Sequence, residues 1–193
     1  GLEPSKLFSF NANYIYKQKY IFGVYCNYVD KMFGQTMYQA NDRLALIYKT
    51  INWDYMANTG LMAVIPYELA PWFNTRLTLV SGYLSQRCDN FFDIGFEDYG
   101  WMGMCNIDNS FRVNKDLVFE LNGFVQSPVT QGTFSVETMW QVSVGAKWNF
   151  ADGKGTLSCY YNDICNSTMS KMKMAFKGQH LQQDNNLFTR NFY

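Results

Sequence analysis

Residues 116–150 read DLVFELNGFVQSPVTQGTFSVETMWQVSVGAKWNF, and two parts of this stretch alternate with a period of two. Leu117, Phe119, Leu121 and Val125 fall on one side of an extended chain, with Glu120, Asn122 and Gln126 on the other. Successive side chains of a strand point to opposite faces, so the pattern specifies a strand with one apolar and one polar side. Ser127, Pro128, Thr130, Gln131 and Gly132 form a polar link. Beyond it Trp140, Val142, Val144, Ala146, Trp148 and Phe150 restore the apolar row against Gln141, Ser143, Lys147 and Asn149. Two alternating runs joined by turn residues make an antiparallel hairpin, which is the unit to look for elsewhere.

The same reading extends towards the N-terminus. Residues 7–17 put Phe8, Phe10, Ala12, Tyr14 and Tyr16 opposite Ser9, Asn11 and Asn13, and Gln18 and Lys19 supply a turn. Residues 20–31 continue with Tyr20, Phe22, Val24, Cys26 and Tyr28 on one face. Residues 32–42 read as a longer loop, or as strands projecting beyond the sheet. Residues 43–51 contrast weakly, which implies a strand whose two faces are both partly covered. A strand over 55–67 is expected to close beside Pro66 and Pro71, because proline cannot donate to an interior ladder. Residues 73–88 form the next strand, 89–99 a loop rich in acids and phenylalanine, and 101–113 a further strand with a tight turn at 114–116.

After the central hairpin, Asp152 and Gly153 signal a turn. Strands are expected over 156–165 and again where Met172, Met174 and Phe176 alternate with Lys171, Lys173 and Lys177. The Gln- and Asn-rich tail, 178–193, has room for one more short strand. The result is an all-β, antiparallel, up-and-down meander of about ten long strands, one domain over 1–193, built as a transmembrane-type β-barrel or as a C-terminal portion of one. Short turns at Gln18, Asn114 and Asp152 alternate with longer connections near Met32, Asp89 and Ser127, as they do between the two ends of a membrane barrel. Tyr20, Tyr67, Trp72, Trp101, Trp140 and Trp148 lie near strand ends, where interfacial girdles belong.

Composition narrows the functional classes. The 193 residues are 48% hydrophobic and 18% aromatic, enough for a substantial apolar surface. Sixteen basic residues balance sixteen acidic ones, so no field draws the chain to nucleic acid. Five cysteines contain no CxxC pair and read mostly as small apolar side chains on strands, although Cys159 and Cys165 are near one another. His180 lacks ligands at metal spacing and reads as a loop residue. No cofactor is called for. Glu97 and Asp98 point oppositely on a strand, GxSxG is absent and the glycines lack phosphate-loop spacing, so catalysis is not expected. For ligand contact the residues to inspect are first Phe91, Phe92, Glu97, Tyr99 and Trp101, then Gln126, Gln131 and the loop at 38–42, because aromatics beside polar groups suit glycans or peptides in an outer loop.

Four stretches carry a family resemblance: LEPSKLFSFNANY (2–14), GQTMYQANDR (34–43), LVFELNGFVQSPVTQGTF (117–134) and VSVGAKWNFADGKGTLSCYYNDICNS (142–167). In order and over nearly the whole chain, they resemble the C-terminal part of the outer-membrane β-barrel family of the Bacteroidetes, which is related to the barrels of TonB-dependent transporters. The family commonly ends a strand in Asn-Asp-Ile-Phe-Asn, here Asn162, Asp163, Ile164, Cys165 and Asn166. Cys165 and the short ending Asn191, Phe192, Tyr193 depart from the pattern. The resemblance implies a location in the outer membrane, contact with its lipid, and partnership with a plug and further barrel strands. Through those parts it also implies an energy-coupling protein, in receptors that import an unidentified nutrient; the present stretch alone would not transport.

The alternative is a soluble β-barrel binding a small apolar ligand. It would turn the apolar rows inward and the polar rows outward, and period alone leaves that choice open. Sparse charge and abundant Ser, Thr, Asn and Gln on the polar faces favour a watery lumen over an external surface.

Overall fold

A computed structural model describes residues 1–40, 43, 46–91, 94–132, 134–151, 153–168, 170–176 and 179–185. Alternation builds fourteen strands there: β1 (Lys6–Tyr16), β2 (Tyr20–Asp30), β3 (Phe33–Gln39), β4 (Leu46–Asn52), β5 (Tyr55–Ala70), β6 (Phe73–Phe91), β7 (Ile94–Arg112), β8 (Leu117–Gln126), β9 (Val129–Gln131), β10 (Phe134–Val136), β11 (Met139–Phe150), β12 (Gly155–Tyr161), β13 (Ser170–Phe176) and β14 (Gln179–Asn185). Eight of them form one antiparallel sheet in the order β1-β2-β5-β6-β7-β8-β11-β12. The order is that of the sequence. It is interrupted by a β3-β4 hairpin and by a four-stranded sheet, β14-β13-β10-β9. Among the described residues β1 and β12 each keep one unpaired edge, so the large sheet is open.

The connections sort by end. At one end residues 17–19, 71–72, 113–116 and, beyond β11, 151 and 153–154 make short turns; β3-β4 and β9-β10 lie in connections at the opposite end, and β13-β14 follow β12. The strands are strongly staggered. One row of paired residues across the sheet runs Tyr14, Phe22, Ala63, Leu79, Cys105, Val125 and Trp140. Counted to the short-turn end of its own strand, Tyr14 is two residues away and Trp140 is ten. Eight residues of stagger over six strand-to-strand steps, at about 3.3 Å per residue and about 4.8 Å per step, lean the strands by about 40° when the turns are level. Closed barrels require a lean of about this size.

Several expectations are corrected. Of the two readings of 32–42, residues 33–39 take the strand one, pairing with β4 outside the large sheet, and β4 does not have two partly covered faces: Ile47 and Tyr48 are both exposed. Pro66 does not end its strand. The β2 ladder stops opposite Val64, so at Pro66 the chain keeps only its β6 neighbour and no donor is missed on the other side. An irregularity in register between Glu68 and Ala70 precedes the actual turn at Pro71 and Trp72. The 89–99 loop is mostly strand, because β6 and β7 run 19 residues each and pair Arg87 with Glu97 and Gln86 with Asp98. His180 lies in β14 opposite Ala175, not in a loop. The strand expected over 156–165 stops at Tyr161, where Asp163 and Asn166 take left-handed φ values of 50° and 52°. The turn expected at Asp152 and the tail over 186–193 lie outside the described residues.

Candidate functional site

The register assigns each side chain to a face. The ladders put Ala12, Val24, Leu61, Ala63, Leu79, Cys105, Leu121, Val142, Val144 and Ala146 on one face. This apolar face is the less covered one. In β6 the odd residues Ser81, Tyr83 and Arg87 are exposed, and the even residues Gly82, Leu84, Gln86 and Cys88 are buried. In β8 Phe119, Leu121 and Val125 are exposed, whereas Glu120, Asn122 and Gln126 are partly covered. Leu61 retains 62% of its surface. A soluble barrel would show the reverse.

Aromatic rings border that face at both ends. Phe73 and Tyr83 on β6, Phe111 and Trp101 on β7, and Phe150 and Trp140 on β11 are each ten residues apart on the same face. Ring contacts run between strands at each level: Phe73 stacks on Phe111 at 4.7 Å, and Tyr83 meets Trp101 edge-on at 5.3 Å. Ten residues span about 33 Å along a strand, or about 25 Å along the axis after a lean of about 40°.

The polar face carries a different chemistry. Towards the short-turn end Arg76 donates from Nε (3.1 Å) and Nη2 (2.8 Å) to Oδ2 of Asp108, its cross-strand partner. Asn74, Ser110, Glu120 and Asn122 line the same cleft of about 370 Å³. Tyr25 lies over Gly60 and beside Gly82, two glycines opposite one another in the ladder, and Tyr160 covers Gly145 in the same manner. Rings laid along the sheet fill the space that missing side chains leave.

At the other end of this face Gln86 is fully buried. Its amide nitrogen donates to Thr130 O (3.1 Å) and Asp98 Oδ2 (3.3 Å), and its oxygen accepts from Gly132 N (3.0 Å). Residues 127–132 are thereby drawn over the polar face, leaving a cleft of about 100 Å³ between Pro128, Val129, Thr130 and Leu84, Met102. Trp53, only 4% exposed, forms the local core with Cys88 and Phe96, meeting the latter edge-on at 5.5 Å. Its ring also lies against Gly34 and Gly132.

The residues singled out from the sequence do not share one surface. Glu97, Tyr99 and Trp101 are in strand β7 on the apolar face, and Gln126 is on the polar face. Phe91 and Gln131 close β6 and β9, and Phe92 lies outside the described residues. Gln86 and Trp53 were not singled out. Alternation puts Gln86 on the polar side, but its burial depends on partners 44 and 46 residues away, which no local pattern reveals.

No curated protein and no protein of solved structure matches this sequence. One family does, described as the outer membrane protein beta-barrel family, and the match extends over residues 1–193.

Proposed function

Because this chain belongs to the outer membrane protein beta-barrel family, we propose that it forms part of the wall of an outer-membrane receptor of the TonB-dependent transporter type. Its apolar face contacts lipid and its polar face lines the route of an imported nutrient. The observation that carries this reading is the exposed apolar band bounded by aromatic rows about 25 Å apart. That is the height of the lipid-facing band of outer-membrane barrels, and aromatic residues favour both interfaces. The edges of β1 and β12, unpaired among the described residues, support a wall that works with further strands, since bare backbone edges are costly in lipid.

Tryptophan depth tests the placement. Trp72 and Trp148 lie towards the short-turn end, and Trp101 and Trp140 at the other aromatic row. In vesicles, bromine atoms placed near the lipid carbonyls should quench this fluorescence strongly, and bromines at the chain termini weakly. Equal quenching at all depths, or none, would count against the placement. Energised uptake measured in sealed vesicles tests the transport reading: it is expected from a full receptor and not from these 193 residues alone.

A further inference from the structure

We propose that residues 127–132, the half of the β8–β11 connection that carries β9, are a latched lid across the outer end of the polar face, and that Gln86 is the latch. The inference rests on reading that face as a channel wall. The lid is not laddered to the wall through β9, which pairs with β10 and so belongs to the smaller sheet. Gln86 instead presents its side-chain amide to the backbone of 130–132, donating to one carbonyl and accepting from one N–H. A ladder opens only as strands separate, whereas a single side-chain amide can release in a local opening.

The surroundings fit a release point. Gly132 has φ +64° and turns its bare side to the Trp53 ring, so no side chain fits between them. The same ring touches Gly34 in the other long connection, which brings both outer connections to one contact. The cleft above Leu84 and Met102 shows that the lid spans the wall there without filling against it. At its root the lid is fixed more firmly, by Ser127 N to Gly103 O and Gly103 N to Ser127 Oγ, both 2.8 Å. The β10 half is held separately, by its ladder to β13 and the Lys173–Glu137 ion pair, so the part that Gln86 alone latches is the β9 half, between the root at Ser127 and Gly132.

Cys88 is a resident reporter. It is 1% exposed, two residues from Gln86 on the same face, and packed beneath Trp53. Cys165 is exposed in an outer turn, while Cys26 and Cys105 lie on the apolar face. The chain in lipid vesicles is treated with a water-soluble maleimide, and the labelling rate at each cysteine is read by mass spectrometry for the wild type, Gln86→Ala and Gly132→Val. The second variant displaces the lid from its own side and leaves β6 untouched. Wild-type Cys88 should react at least about tenfold more slowly than Cys165, and each variant should raise its rate about tenfold with Cys26 and Cys105 still protected by lipid.

A wild-type Cys88 as fast as Cys165, or a rate that neither variant moves, overturns the latch. A rise at every cysteine together marks loss of the sheet and overturns it equally. Rapid labelling of Cys26 and Cys105 in the wild type defeats the lipid-facing reading instead, whatever Cys88 does.

Discussion

Asp163 sits at φ +50° just past β12 and folds the following turn around its own carboxylate. Oδ1 accepts from Ser167 N and Ser167 Oγ, both at 2.8 Å; Oδ2 accepts from Thr168 N at 2.9 Å and from the Thr168 hydroxyl. Partial burial pushes the carboxyl up, but these donors outweigh it and hold it at about 2. A carboxyl held below its usual value of about 3.9 contributes its full share above that value and loses it as pH falls through the folded one. Amide-exchange protection of Ser167 and Thr168 should therefore be constant from neutral pH to about 4 and collapse towards about 2. Asp163→Asn should lower that protection across the range by about 1 kcal/mol, the worth of a partly exposed charged acceptor. Protection unchanged in the variant would remove this role. A second residue-scale prediction concerns Gly60, where an added Cβ would strike the Ser81 carbonyl oxygen and the Tyr25 hydroxyl. Gly60→Ala should cost about 2 kcal/mol by overpacking, whereas Gly100→Ala, with open space around it, should cost nothing measurable by urea unfolding.

At the scale of the element, the β1–β2 hairpin turns through Lys17 and Gln18 at φ 48° and 53°, closed by Lys19 N to Tyr16 O at 3.1 Å. Neither residue type favours the left-handed region. Replacing the pair by Asn-Gly should stabilise the hairpin by about 0.5–1 kcal/mol, read as a raised urea midpoint; an unchanged or lowered midpoint would show that the turn is not the weak element. The contrast explains what could be read in advance. Where one face meets apolar surroundings and the other polar ones, the period of two marks the strand, and β8 is Leu117–Gln126 residue for residue as the alternation reads. Beyond the aromatic rows that contrast fades. The tips of β6 and β7 pair Arg87 with Glu97 and Gln86 with Asp98, so composition suggests a loop where the ladder continues. Pro66 misleads for another reason: its tolerance depends on where a neighbouring strand stops, which is a fact of register. Gln86 and Trp53 were illegible because their roles are made by connections that return from far along the chain.

For the whole molecule, the decisive property is that the side chains a soluble protein would hide are the ones left uncovered. Leu79 lies six residues above Phe73 and four below Tyr83 on β6, within the aliphatic band, and is 39% exposed. Thr78, its neighbour in sequence, points to the polar face. Water as the medium on both sides would make Leu79→Arg the easier change, since it replaces an exposed leucine by a charge. With lipid on the apolar side the order inverts. A cation near the middle of a barrel's lipid-facing band costs about 2–4 kcal/mol, and one facing a polar interior costs little. Reversible unfolding from lipid vesicles should accordingly show Leu79→Arg destabilised by about that amount and Thr78→Arg by under about 1 kcal/mol. Placing arginine at Trp101, in the outer aromatic row, should fall between them, because cost declines towards the interface. The gradient from Leu79 to Trp101 tests the height of the band, and the difference between Leu79 and Thr78 tests its facing. Equal costs at 78 and 79 would leave the apolar face without a lipid partner, and the exposed rows would then have to be covered by protein.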